Sequence, residues 1–448
     1  MSKISIFIFS CILFFSCTFN NLPSDKKLTS YVNTFVGTGG HGHTYPGATL
    51  PFGMMQLSPD TRLDGWDGAS GYHYTDNHIY GFSHTHLSGT GITDYMDVLL
   101  MPTDEVIFNN GSDGEKGYRS AFSHDKEVAT PGYYSVRLDD TKIEVSLTVS
   151  QRSGIHSYEF PEDSNQIVIL DLEHRDRVLD AALFTSDNRI VSGYRFSNAW
   201  AKDQRLFFDL EFSRPYTNVT FLNEQTTGSN VKAAFEFDSS ISNSLEVKIG
   251  ISPVDKEGAK LNRVTELRDK SFDQLREEAD NIWEKQLNKI VVETYEEEDM
   301  YNFYSALYHT MITPNLYQDV DGRYRGMDME IHQDKSLNYY TVFSLWDTFR
   351  AAHPLYTIIE QERTNDFIKT FLNKYDEGGI IPIWDLSANY TNTMIGYHSI
   401  PVMADAYLKG IRDYDIDKAY EVMKHSAMQD KNGLESYKNT GFVSVETE

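Results

Sequence analysis

The hydrophobic period of this chain changes once, near Pro253, and that change constrains the fold more than any other feature. Up to Ser252, short apolar or alternating runs such as "YYSVRL", "IEVSLTVS", "QIVILDL" and "SLEVKIGI" recur at strand length between clusters of Gly, Asp, Asn and Ser. Many short strands with no helical period among them predict an antiparallel β-sandwich over residues 28–252. Beyond Pro253 the period becomes helical. "LNRVTELRDKSFDQLREEADNIWEKQLNKI" spaces its apolar residues for a single long linker helix within residues 253–293. "DMYNFYSALYHTMI", "VFSLWDTFRAAHPLYTII", "RTNDFIKTFLNKY", "IGYHSIPVMADAYLKGI" and "DIDKAYEVMKHSAM" then each read as one helix, about six in all, punctuated by Pro314, Gly378-Gly379 and Gly433. Ile400, Val402, Met403, Ala406 and Tyr407 surround most of one helix, which predicts burial on two sides. Helical hairpins of this kind can close into a toroid, but a closed ring needs more of them. The chain stops at "GFVSVETE" with no terminating feature, the pattern of a sequence that continues.

The first residues address export. Lys3 precedes "ISIFIFSCILFFSC", an apolar run of signal-peptide length ending at Ser16-Cys17, a small residue followed by cysteine. Residues 1–17 are therefore expected to be a lipoprotein-type signal with the lipid on Cys17, placing the protein in the periplasm or on the outer membrane. A plain secretory signal or an uncleaved anchor are the alternatives. Cys11 and Cys17 are the only cysteines, so the mature chain has no disulfide and must rely on the size of its core. The formal net charge of −26 argues against nucleic acid and anionic lipid headgroups as partners. The 28 Tyr and 26 Phe suit rings that stack on sugars, and equally suit a β-rich core.

Four places carry side chains suited to chemistry. The loop "TGGHGHTYPGA" holds His41 and His43, and "SHTHLSGTG" holds His84 and His86. Together they admit a zinc site, hydrogen-bonded turns, or contact with a carbohydrate. Trp66-Asp67, in "DGWDG", pairs an exposed ring for a sugar face with a carboxylate for its hydroxyls, or else the ring folds back as a loop anchor. In "SLWDTFR", Asp347 and Arg350 lie three apart on the expected helix beside Trp346. They form either a fork for adjacent hydroxyls or a buried ion pair. Trp384 and His398, around the turn in "IIPIWDLSANYTNTMIGYHSIPV", complete the candidate substrate-binding set. "QDVDGRYRG" faintly resembles the start of a calcium loop, but lacks the later ligands, so a turn at Asp321-Gly322 is expected. Asp67, Asp94, Asp97, Asp347 and Asp385 are the carboxylates from which an acid and a base would be drawn. No nucleophile elbow, phosphate loop or dinucleotide fingerprint is present.

"VNTFVGTGGHGHTYPGATLPFGMMQLSPDT", "GWDGASGYHYTDNHIYGFSHTHLSGTG", "YTVFSLWDTFRAAHPL" and "GGIIPIWDLSANYTNTMIGYHSIPVMADAYLKG" closely resemble the family 92 glycoside hydrolases. These are exo-acting α-mannosidases common in Bacteroidetes. The resemblance implies a multidomain β-then-α chain, with an N-terminal antiparallel β-sandwich followed by the first half of an (α/α)6 barrel over residues 294–448. It also implies calcium-dependent hydrolysis of terminal α-mannosidic bonds with inversion, and mannose-containing glycans as partners. The resemblance places the family's acid, base and main calcium ligands beyond Glu448, so no catalytic or metal residue is carried onto this chain. On that reading the stretch recognises substrate but is inactive alone, as the front of a longer mannosidase or as a non-catalytic carbohydrate-binding protein.

Overall fold

The structure, a computed structural model, describes residues 26–431 and 433–445; the expected signal and Cys17 lie outside the described residues. Two open antiparallel sheets form the first half of the chain. One has seven strands in the order 48–49, 56–60, 81–83, 99–103, 166–171, 232–237 and 218–221. The other has nine, ordered 227–228, 177–185, 190–198, 204–212, 244–252, 153–159, 144–149, 133–137 and 127–130. Side-chain alternation explains their packing: Val191, Gly193, Arg195 and Ser197 point inward from one strand, while Ser192, Tyr194 and Phe196 stay half-buried outside. Leu147, Ile169, Phe208, Leu210 and Val247 fill the space between the sheets.

Polar pins also cross that core. His84 Nδ1 lies 2.6 Å from the Val98 carbonyl, which only accepts, so Nδ1 carries the proton and Nε2 accepts. His156 Nε2–H, 2.9 Å away on the other sheet, is the donor, and its Nδ1 accepts from the Tyr158 hydroxyl at 2.8 Å. Burial holds His84 down to about 4 and His156 well below its usual range, so both stay neutral.

Nine helices follow among the described residues: α1 (Lys256–Leu267), α2 (Phe272–Leu287), α3 (Glu297–His309), α4 (Leu345–Thr348), α5 (Ala352–Ile359), α6 (Gln361–Gly378), α7 (Ser399–Leu408), α8 (Ile416–Met428) and α9 (Leu434–Thr440). The count exceeds expectation because two predicted helices break and α9 was not expected. The single linker helix is two, since Ser271 and Gln274 form a capping box that starts α2 afresh. "VFSLWDTFRAAHPL" also divides, because Pro354 has no N–H and its ring would clash with the carbonyl four residues earlier. The helix restarts with Pro354 in the first turn of α5. Burial of α7 on two sides is corrected as well: Val402, Met403 and Ala406 are buried, but Tyr407 and Leu408 face solvent.

The two halves are locked together. Phe52 packs edge-on to Tyr356 and Phe367, its amide donates to the Met311 carbonyl, and the Leu316 amide donates to the Phe52 carbonyl. Trp283 donates its indole N–H to the Thr49 carbonyl at 2.7 Å. The turn at Asp321-Gly322 is present, with Gly322 at φ +86°. Asp319, just before it, accepts from Ser252 Oγ (2.7 Å) and Asn262 Nδ2 (2.7 Å); burial pushes its carboxyl up to about 7 although both hydrogen bonds pull the other way. A folded-state value raised above the unfolded one gives stability that is present at low pH and lost as pH rises towards and through 7. Asp319→Asn should therefore flatten the decline in unfolding midpoint between about pH 4 and pH 7, as read by thermal denaturation. An unchanged slope would show that Asp319 does not govern it.

Candidate functional site

The Gly/His loop folds back on Trp66-Asp67. Gly42 has to be glycine, since a Cβ there would lie 2.0 Å from the Gly37 carbonyl oxygen. This tight return carries His41 Nδ1 to 2.8 Å from Asp67 Oδ1 and leaves His43 Nε2 at 3.9 Å from the same oxygen. His43 also stands edge-on to the Trp66 ring at 4.7 Å. Trp66 itself is 63% exposed on a short 3-10 turn, with one side of its ring against Gly91, where a Cβ would meet it at 2.1 Å. The indole is thus both anchored and open, which joins the two readings of that residue.

Gly91 belongs to the stretch 87–95 that bridges the halves. Leu87, Ile92 and Tyr95 share a buried cluster with Ala201, Val342, Trp384 and Leu386. The Tyr95 hydroxyl lies 2.8 Å from Ser387 Oγ. Tyr95, Val98, Val342 and Ala388 all hold positive φ (79°, 58°, 64° and 64°), so the backbone stores strain along this seam. Strand 384–386 pairs with strand 343–344, bringing Ser344 opposite Trp384, and Ser344 Oγ donates to Asp347 Oδ2 at 2.6 Å. Next to Asp347, the His398 ring packs 4.4 Å from Phe349 and edge-on to Trp346 at 5.4 Å. Burial, with the Arg350 charge nearby, lowers its pKa. Trp66 is thus linked through Gly91 and the buried stretch 87–95 to Trp384, and across the strand pair to Ser344 and Asp347.

Several sequence expectations need correction here. Asp347 and Arg350 form no ion pair. The helix ends at Thr348, Asp347 is exposed beside Ser344, and the Arg350 guanidinium sits 4.8 Å over Phe349 and 5.6 Å over Trp346. His84 and His86 are fully enclosed. His86 bonds the Gln56 carbonyl and Asp60 Oδ1, which together with the His84 relay removes both from the substrate surface. The zinc reading fails because the four do not converge: His41 and His43 face Asp67, while His84 and His86 are enclosed against His156 and Asp60. Trp384 is 4% exposed, a floor to the site more than a platform. Of the five candidate carboxylates, Asp97 is spent on Arg195, and Asp385 on Lys374 and Thr341. Asp94 accepts the Ala201 and Trp200 amides at 2.8 and 3.2 Å, and burial pushes it up to about 6. Asp67 and Asp347 are the two that solvent reaches.

Sequence reasoning missed Trp200. It lies at the tip of the hairpin between strands 190–198 and 204–212, held from one side by Asp94 and from the other by Asn389. Asn389 accepts the Asp203 amide at 3.0 Å and donates to its carbonyl at 3.0 Å. The Trp200 ring stands edge-on to Trp384 at 6.5 Å and remains part-exposed. The Asn/Asp-rich turn "SNAWAKDQ" between two β runs was the signal that could have marked it. Among the described residues no three His, Asp, Glu or Cys side chains converge as metal ligands.

Two family descriptions match the chain: the glycosyl hydrolase family 92 N-terminal domain over residues 31–252 and the family 92 catalytic domain over residues 258–448. The family GH92 α-mannosidase BT3965 from Bacteroides thetaiotaomicron, solved with mannoimidazole, is 36% identical with a TM-score of 0.90 over 94% of this chain and 58% of its own. The GH92 inverting mannosidase BT2199 from Bacteroides thetaiotaomicron is 28% identical with a TM-score of 0.83 over 94% of this chain and 59% of its own. A secreted glycosidase of Arthroderma benhamiae is 24% identical over 462 residues, 93% of this chain and 55% of that protein. The chain thus spans less than two thirds of the length of these relatives. The expectation that it carries recognition alone finds no support, because the match reaches through the catalytic domain over residues 258–448. With both domain types matched in order over nearly all of its described length, the chain belongs to glycosyl hydrolase family 92.

Proposed function

We propose that the protein is an exported exo-α-mannosidase that hydrolyses terminal α-mannosidic bonds of glycans with inversion. Its likeness to BT3965, 36% identical with a TM-score of 0.90, carries the reading. In this proposal the Trp66 face covers the apolar side of a sugar ring, and Asp67 and Asp347 accept hydrogen bonds from its hydroxyls. Trp346, Arg350, Trp384 and His398 shape the surrounding wall, with Trp200 at its rim. Inversion requires one carboxyl to protonate the leaving oxygen and another to activate water on the opposite face of the ring. Neither role is assigned to Asp94, Asp97 or Asp385, which the fold encloses. Calcium remains part of the proposal through the family resemblance, but no step is drawn through it, because no three His, Asp, Glu or Cys side chains converge among the described residues. The secreted character of the Arthroderma benhamiae relative supports export.

The deciding experiment incubates the protein with α-1,2-, α-1,3-, α-1,4- and α-1,6-mannobiose, with added calcium or with a chelator, and measures free mannose. Release from at least one linkage, with the α-anomer inverted to β on first appearance by NMR, is expected, and the chelator should suppress it. No release from any linkage by folded protein would overturn the reading.

A further inference from the structure

We infer that His41 is a positioning residue, which holds one oxygen of Asp67 so that the other is presented to a sugar hydroxyl. The inference rests on the reading of Trp66-Asp67 as a recognition point, and the geometry behind it is local. His41 Nδ1 is 2.8 Å from Asp67 Oδ1 and His43 Nε2 is 3.9 Å from it, while Oδ2 takes no hydrogen bond from the described residues. The two histidines differ in a useful way. The His43 side chain is 93% enclosed, its Nε2 has no hydrogen-bond partner among the described residues, and its ring steadies Trp66 from the edge. The His41 side chain is 84% exposed and free to exchange protons with solvent.

Proton uptake at His41 therefore tightens the clamp, and proton loss slackens it. The hydrogen bond to Asp67 raises the His41 pKa, and the same bond lowers that of Asp67, so the two shifts agree in direction. Of the other charged or titratable groups facing Asp67, His43 is enclosed, and Arg62 and His73 are bound to other partners. Arg62 is bound to Asp76 at 2.5 Å, and His73 is bound to the Gly40 carbonyl and Thr75 Oγ1. His41 is thus the member of this group that can change the environment of Asp67 as pH rises past neutrality. His41 acts on binding and touches no reacting bond.

The test compares wild type, His41→Ala and His41→Gln on 4-nitrophenyl α-mannoside from pH 5.5 to 8.5. An exposed ion pair changes affinity by roughly fivefold at most. Wild-type KM should rise by about that factor across the range. His41→Ala should sit at the high value throughout, and His41→Gln, a donor that does not titrate, should be flat and intermediate. The kcat profile should be shared by all three. A His41→Ala enzyme with the wild-type KM profile, or one whose kcat falls in step, would overturn the inference. In parallel, the NMR titration midpoint of His41 should fall in Asp67→Asn, and an unmoved midpoint would also overturn it. Absence of hydrolysis by the wild type would strike the mannosidase reading instead, leaving the NMR comparison to decide the clamp.

Discussion

Replacing Asp347 by Ala should lower kcat/KM for mannose release about a hundredfold or more while leaving the unfolding midpoint where it was. The two halves of that expectation come from the same local geometry. Asp347 is exposed, and among the described residues its only hydrogen bond comes from Ser344 Oγ at 2.6 Å and no cation pairs with it. An exposed carboxylate without an ion pair contributes within about 0.5 kcal/mol to stability. Its value to a ligand is larger. Hydrogen bonds from sugar hydroxyls to an ionised carboxylate are worth about 1.5–3 kcal/mol each, and two of them reach a hundredfold at about 1.4 kcal/mol per decade. Asp347→Asn should recover part of the loss, because an amide oxygen accepts one such bond but carries no charge. Arg350→Ala should cost less than either, since its guanidinium is stacked on Phe349 and Trp346 and bonds no carboxylate. Steady-state kinetics on the cleaved mannobiose, beside thermal denaturation, separates the two effects. Near-wild-type turnover would remove Asp347 from the recognition set.

What could be read in advance followed from local rules, and what could not depended on distant partners. The switch from strands to helices at Pro253 is a matter of residue spacing: the last strand of the large sheets ends at Ser252, α1 begins at Lys256, and only strands of two or three residues lie beyond. For Trp66 beside Gly65 both local readings, an exposed ring and a loop anchor, are met in part: the ring is 63% exposed and rests against Gly91. The His-x-His pair at 84 and 86 misled for the converse reason. Their partners His156 and Asp60 are 72 and 26 residues away, and nothing in "SHTHLSG" shows that two sheets close over it. The Asp347–Arg350 fork assumed a helix that Pro354 interrupts, a breaker visible in the sequence but given too little weight. Trp200 was invisible as a site residue because its place depends on Asp94 and Asn389 clamping the hairpin from both halves of the chain.

The largest loss of stability should come from Arg195→Met. Arg195 lies wholly within the sandwich, 0% exposed, on a strand position whose alternation turns it into the core. Its guanidinium reaches Asp97 Oδ1 at 2.5 Å, Asp176 Oδ1, the Leu172 carbonyl at 2.9 Å and the Arg175 carbonyl at 2.7 Å. Two buried carboxylates and two buried carbonyls thus depend on one side chain. The Asp97 carboxyl is already raised by burial despite this cation, which shows how far its ionised form relies on Arg195. Methionine fills much of the volume, so packing loss is small and the uncompensated charges dominate. Leaving a buried carboxylate without its partner costs about 3–5 kcal/mol. The loss should be greatest at neutral and alkaline pH, and should shrink as pH falls and the stranded Asp97 carboxylate takes up a proton. A second change separates this from simple misfit: Arg195→Met combined with Asp97→Asn removes one stranded charge and should recover part of the stability. Urea denaturation of the three proteins at pH 5 and pH 8 reads both effects. Equal loss at the two pH values, with no recovery in the double variant, would show that Arg195 contributes volume and not charge.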